Sequence, residues 1–327
     1  MPSRKKKKKA PRRSRAPLWI AVVLALIALP VCVAALNANT VHVRRAEVYM
    51  PDLPAAFDGA TLLYVSDIDL CGLNGPAKAA ALMRRLDHLH PDVWLLGGDY
   101  TSTPVQEILN SATGRAASDA RAVAARADFF QRITDLSAPL GKYALAAPDD
   151  PAPEDLYIQL TNCGFTPLFN NRATLTRGDA SIDLLGICDE SANLNAASGS
   201  YSAGDCVIAA AWSPTILARL MITEAADSGR WVDLVLTGHT HGGQILAFGH
   251  SILPLNAQER KYMSGWNTET GVPVLTTSGI GCEGANLRLG SRAEAWLVTL
   301  RRGKLEAAEN CMFHVKHSND TVRDCFT

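Results

Sequence analysis

Three short apolar runs in this chain stop abruptly at metal-ligand types of side chain. "ATLLYVSD" and "DVWLLGGD" each end in an aspartate, Asp67 and Asp99. "VDLVLTGHTHGGQI" ends in His239 and His241, followed by Gly242 and Gly243. Short apolar runs bounded by glycine and polar residues read as buried strands. Between them lie helical patterns. "AAALMRRLDHL" carries Leu82, Leu86 and Leu89 at helical spacing, and Pro91 stops it. Phe129, Phe130, Ile133 and Leu136 share one helical face, and "PEDLYIQLTNCG" is a helix closed by Gly164. "ATLTRGDASIDLLGI" reads as a hairpin turning at Gly178-Asp179. "CVIAAAWSP", "GVPVLTTSGIG" and "AEAWLVTL" supply further strands, and "PTILARLMITEAA" a further helix. Strands alternating with amphipathic helices predict an α/β layered fold with helices on both sheet faces. In open α/β sheets the ligand site lies at the carboxyl ends of the strands, where these aspartates and histidines fall.

The 327 residues, 47% of them apolar, suffice for one large core. The formal net charge is zero, but residues 1–15 hold nine bases and no acid, leaving 23 bases against 32 acids elsewhere. An acidic body argues against nucleic acid as a partner, because phosphate contacts need clustered Lys and Arg. The stretch from Ala16 to Ala38 has no charge. It is long enough to cross a hydrocarbon core roughly 30 Å thick. Basic residues on its N-terminal side place the N-terminus in the cytoplasm and the body outside it. Val33-Ala34-Ala35 resembles a signal-peptide cleavage site, yet such peptides have shorter apolar cores, about 7–15 residues. The reading is an uncleaved single-pass anchor in the cell membrane. The expected divisions are a basic cytoplasmic tip (1–16), a transmembrane signal-anchor (17–38), a linker and first strand (39–57), the main domain (58–302) and a tail (303–327). Of eight cysteines, Cys32 lies in the span, and the other seven show no zinc-type spacing.

On an extended backbone, side chains at i and i+2 point the same way. His239 and His241 therefore aim at one region, and so do Asp67 and Asp69 in "SDID". With Asp99 they give three carboxylates and two imidazoles at strand ends. A lone aspartate there usually caps a loop, but two spaced histidines after a buried strand have little structural purpose. Mixed oxygen and nitrogen ligands suit Mn2+, Fe or Zn2+, and carboxylate-rich sets also suit Mg2+. Two such ions roughly 3.5–4 Å apart can activate a water for displacement at phosphorus.

"LLYVSDIDL", "PDVWLLGGDYTS", "GKYALAAPDD", "GVPVLTTSGIG" and above all "LVLTGHTHGGQI" resemble the calcineurin-like metallophosphoesterases, in their membrane-anchored bacterial subfamily. The resemblance runs from about residue 58 to 300, with the blocks in order. It implies a four-layer αββα sandwich of two mixed β-sheets. It also implies a phosphoric ester or pyrophosphate hydrolase using metal-activated water, acting on a phosphorylated small molecule or lipid headgroup. "LLYVSDIDL" also matches the short Asp-x-Asp of haloacid-dehalogenase-like phosphatases, but the rest of the chain carries the metallophosphoesterase blocks.

Several positions depart from the family pattern. Asp69 stands where the first block has histidine, Pro148 where the third has its metal-binding asparagine, Asp149 where it has its catalytic histidine, and Trp212 where the fourth has a metal-binding histidine. Of the eight histidines, the GHTH pair are those at family positions. Carried over, one ion would be held by Asp67, Asp69, Asp99 and His241, and the other only by Asp99 and His239. Proline has no donor atom, and the indole nitrogen donates rather than accepts. The expectation is one divalent ion or none rather than two, with Mn2+ or Mg2+ preferred over Fe or Zn2+. Asp149 is the candidate acid and Arg288 the candidate phosphate contact, with Arg260 and Lys261 as further cations. A disulfide between Cys71 and Cys282 across the cleft mouth is a further expectation. The alternative function is an inactive extracytoplasmic binding protein that keeps the fold.

Overall fold

The computed structural model describes residues 16–102, 113–189, 191–303 and 315–317. The basic tip, Cys311, Cys325 and most of the expected tail lie outside them.

A long helix, α1 (Ala16–Asn39), leads into β1 (His42–Met50) and β2 (Thr61–Val65). There follow α2 (Pro76–Asp87), β3 (Val93–Leu96), α3 (Thr113–Arg132), β4 (Lys142–Ala144), α4 (Pro153–Asn162), β5 (Thr166–Pro167), β6 (Arg172–Arg177) and β7 (Ala180–Ile187). The chain continues through α5 (Leu194–Ser198), β8 (Val207–Ala211), α6 (Leu217–Ile222), β9 (Leu234–Thr237), β10 (Leu246–Ala247) and β11 (His250–Ser251). It closes with α7 (Ala257–Lys261), β12 (Gly265–Asn267), β13 (Val274–Thr276), β14 (Glu294–Arg302) and β15 (Val315–His317). One mixed sheet has the order β15-β1-β14-β2-β3-β4-β5, and the other β12-β13-β9-β8-β7-β6.

The alternation of side chains explains why the layers are four. Ile208 and Ala210 of β8, with Leu234 and Leu236 of β9, face the core shared with the first sheet. Their neighbours Val207, Ala209, Ala211 and Val235 face a second core, with Leu217 and Leu220 of α6. Both faces of this sheet are buried, so its strands read as unbroken apolar runs. Met83 and Leu86 of α2, Phe129 and Phe130 of α3, and Leu156 and Leu160 of α4 cover the first sheet. The result is the expected αββα arrangement.

Two strands outside residues 58–302 join the first sheet. β1 lies in the stretch expected as linker and first strand and pairs in parallel with β14 from His42↔Glu294 to Met50↔Arg302. β15, inside the expected tail, pairs antiparallel with β1. Both additions extend the first sheet at its edge, where unpaired backbone groups recruit strands.

Among the described residues α1 is the one helix long and apolar enough to cross a membrane. Most of its apolar side chains are exposed, but Ala34 and Ala38 are buried. Its end is tied to the domain: the Arg288 amide donates to Ala34 O at 2.9 Å, and Asn37 Nδ2 to Arg288 O at 3.3 Å. Lys78 and Asn286 both donate to Asn39 Oδ1.

Candidate metal centre

The carboxyl ends of both sheets meet at one place. Asp67 and Asp69 follow β2, Asp99 follows β3, His239 and His241 follow β9, and Trp212 follows β8. All five expected metal residues have left-handed backbone, with φ of 53° at Asp67, 49° at Asp69, 54° at Asp99, 71° at His239 and 51° at His241. A side chain in that region costs roughly 1–2 kcal/mol. Strain of this kind concentrates at functional sites. The chain is therefore not extended at these points. The aspartates and histidines expected to share a region do meet, but their side chains do not aim alike. His241 Nδ1 lies 3.5 Å from Asp69 Oδ2. The His239 ring instead spans from Asp99 (Nδ1 to Oδ2, 3.6 Å) to Glu259 (Nε2 to Oε1, 3.5 Å).

The "SGIG" segment after β13 forms the floor. The Gly281 amide donates to Asp67 O at 2.6 Å. A Cβ at Gly279 would lie 2.5 Å from Asp67 Cβ, and one at Gly281 2.5 Å from Asp69 Cβ. Only glycine lets this segment lie against both aspartates.

Ligand atoms of Asp67, Asp99 and His241 lie within 4.8 Å of one another, and so do those of Asp69, His241 and Glu283. Asp67 Oδ2, Asp69 Oδ2 and His241 Nδ1 are buried with no hydrogen-bond partner. Leaving a buried polar atom unsatisfied costs about 1–3 kcal/mol, and more if it is charged. Such acceptors, in two clusters that share His241, fit a cation.

Electrostatics agree. Burial, then Asp99, raises Asp67 to about 8. Burial, then Asp99 and Asp67, holds Asp69 well above the ordinary carboxylate range. Burial, then Arg288, lowers His241 to about 3, leaving a neutral imidazole as a metal ligand must be. Burial opposes charge on Asp99, yet contact with His239 keeps its pKa low. Burial likewise opposes charge on His239, but Asp99, Asp67 and Glu259 raise its pKa.

The other side of Asp99 is closed. Trp212 Nε1 donates to Asp99 Oδ2 at 3.0 Å, and the indole lies 4.1 Å, centroid to centroid, from the His239 ring. Asp149 is exposed at the mouth, with its pKa raised by partial burial and then by Asp99. Its neighbour Asp150 is buried and accepts from the amides of Tyr100 and Ala147, which makes it a loop brace.

Arg288 is not where the phosphate-contact expectation put it. It is fully buried, and its guanidinium donates to the carbonyls of Gly281, Ser278 and His241 and to Ser291 Oγ. Three carbonyls converging on one guanidinium clamp the site loops from behind. Arg260 donates to Leu255 O, and Lys261 pairs with Glu269 at 3.0 Å, so neither points to the site. Cys282 is not disulfide-bonded, which corrects the expected Cys71–Cys282 pairing. Two residues escaped the sequence reading. Glu283, in "SGIGCEG", is recognisable only once the glycine segment is known to lie on Asp69. Glu259 belongs to a capping box with Asn256, which gives no hint that its other oxygen faces His239.

No family model matches the chain. A zebrafish (Danio rerio) transmembrane protein with a metallophosphoesterase domain is 25% identical over 274 residues, covering 78% of this chain and 56% of that protein. Phosphodiesterase YaeI of Escherichia coli K12 is 28% identical over 227 residues, covering 64% of this chain and 70% of that protein. The chain thus spans little more than half the length of the zebrafish relative. Among solved structures, an archaeal phosphodiesterase aligns with TM-score 0.31 at 12% identity, covering 66% of this chain and 82% of that one. The chain is thus similar to proteins named for a metallophosphoesterase domain and for phosphodiesterase activity, in keeping with its calcineurin-like motif blocks.

Proposed function

We propose that this protein is a membrane-anchored hydrolase of phosphoric esters or pyrophosphates that works with one divalent cation. The observation that carries this reading is the set of three buried, unpartnered acceptors on Asp67, Asp69 and His241. Asp67, Asp99 and His241 hold the ion, and Asp69 and Glu283 flank it. An oxygen-rich set of this kind favours Mn2+ or Mg2+. When bound, the ion supplies Lewis-acid polarisation of a phosphoryl oxygen and acidifies the attacking water. The Arg288 clamp keeps His241 and the glycine segment in place. Asp149, at the mouth with a raised pKa, donates the proton to the leaving oxygen. His239 and Trp212 occupy the side where a second ion would bind. The substrate is a phosphorylated small molecule or a lipid headgroup. α1 anchors the chain, with the basic N-terminus cytoplasmic and the domain outside.

The test uses the full chain in detergent with bis-p-nitrophenyl phosphate and Mn2+. Turnover that Asp99→Asn abolishes is the expected result. An ion bound with no turnover would leave a binding protein, and failure to bind any divalent ion would overturn the metal reading.

A further inference from the structure

Two tight turns carry apolar side chains into solvent beside the end of α1. The first follows the Asp67–Asp69 segment. The amides of Cys71 and Asn74 each donate to the other's carbonyl, which leaves Gly72 and Leu73 at the tip. Leu73 is 77% exposed. The second is the β10–β11 hairpin, which follows the two histidines. Its registers Leu246↔Ser251 and Ala247↔His250 leave the two-residue loop Phe248–Gly249. Both loop residues have positive φ, 52° and 82°. Turns of this kind favour Asn-Gly, and a phenylalanine at the first position is strained. Phe248 is also 102% exposed. A large apolar side chain that is both strained and fully solvated gains nothing from the domain itself. Ile252, just past the hairpin, is 61% exposed.

Segments neighbouring both turns bond to the end of α1. The Leu246 amide donates to Leu289 O at 2.8 Å, next to Arg288, whose amide donates to Ala34 O. On the other side Lys78, near the start of α2 and five residues after Leu73, donates to Asn39. The part of α1 before Ala34 is left to cross a bilayer. Its 18 residues from Ala16 to Val33 span roughly 27 Å at about 1.5 Å per residue. The membrane surface then falls close to the last turns of α1, to which the segments neighbouring both apolar tips are bonded.

We propose that Leu73 and Phe248 are lipid-contacting tips that hold the loops of the metal site against the bilayer surface. The occupant of this face is the bilayer that α1 crosses, so the inference rests on the reading of α1 as the anchor. Apolar aromatic and aliphatic side chains at the boundary between headgroups and acyl chains are the chemistry by which proteins lie on a membrane. The tips act together with the helix: one fixes the domain to the membrane, and the others fix its orientation.

The test is photo-crosslinking of the full chain in vesicles of phosphatidylcholine and phosphatidylglycerol. Benzoylphenylalanine is placed separately at Phe248, Leu73, Leu26 in α1 and the exposed Ile158 of α4. Position 248 is fully solvated, so the change leaves packing intact. Lipid adducts at 26, 73 and 248 with loss of adducts at 158 are the expected result. Adducts at 26 but none at 73 or 248 would overturn the inference and leave the anchor standing. Crosslinks from 248 to a second copy of the chain would overturn it too, making this face a dimer contact. No adduct at 26 would remove the anchor and the inference together.

Discussion

On one side of Asp99, atoms of Asp67, Asp69 and His241 are buried without hydrogen-bond partners. On the other, His239, Glu259 and Trp212 engage Asp99 and one another. Both sides carry a substitution relative to the family pattern, yet with opposite consequences. Asp69 replaces a nitrogen acceptor by an oxygen acceptor, so that side can still face a cation. Trp212 replaces an acceptor by a donor, and its N–H bonds to Asp99 Oδ2. Whether a ligand position survives substitution thus depends less on size than on whether the new atom offers or takes a lone pair.

Four measurements bear on this contrast. The largest effect is expected at Arg288, which supports the open side. Arg288→Met leaves several buried carbonyls unsatisfied and should lower unfolding free energy by about 3–5 kcal/mol in a urea titration. Unchanged stability would reinstate a phosphate-contact role. Next, Asp67→Asn should weaken Mn2+ binding, read by calorimetry, by at least roughly 100-fold. His239→Asn should change it only a few-fold. Equal losses at the two positions would erase the distinction between the sides. Third, Trp212→His combined with Pro148→Asn and Asp149→His should raise bound metal, by mass spectrometry, from one ion to two. A stoichiometry that stays at one would mean that more than these positions closes the second place.

The fourth measurement is the pH dependence. Asp67 sits at about 8 in the folded chain against an ordinary value of 3.8. A raised carboxyl favours folding while it is protonated. Its contribution to the ion-free protein is therefore full below about pH 4 and lost as pH rises through about 8. Ion binding needs the carboxylate, so apparent Mn2+ affinity should rise about tenfold per unit up to about pH 8 and then level. A flat profile between pH 5 and 8 would mean that Asp67 is already ionised without the ion.

Much of this site could be seen in the one-dimensional pattern because strands deliver their carboxyl ends to a common edge. Asp67, Asp99, His239 and His241 each close an apolar run, so their meeting follows from the parallel β2–β3 and β8–β9 pairs. The hairpin at Gly178 and the Gly164 stop were legible for a similar reason: glycine writes its backbone conformation into the sequence. Arg288 was misplaced because a basic residue near a cleft has the same one-letter signature whether its guanidinium faces solvent or three carbonyls. Glu283 and Glu259 were missed because nothing local marks an exposed-looking acid as a neighbour of a distant imidazole.

The layers, the strand ends where chemistry gathers, the apolar helix, and the ligand types changed at positions 69, 148, 149 and 212 can be read along the chain. These are local properties, set by hydrophobic period, glycine and proline, and the donor or acceptor nature of each side chain. It took the packed fold to show that Trp212 bonds to Asp99, that His239 faces Asp99 and Glu259, that Arg288 is a buried clamp, and that the end of α1 bonds to a loop beside the site. Each of these depends on which surfaces meet when two sheets pack, and a pattern read along one chain carries no record of what lies across from it.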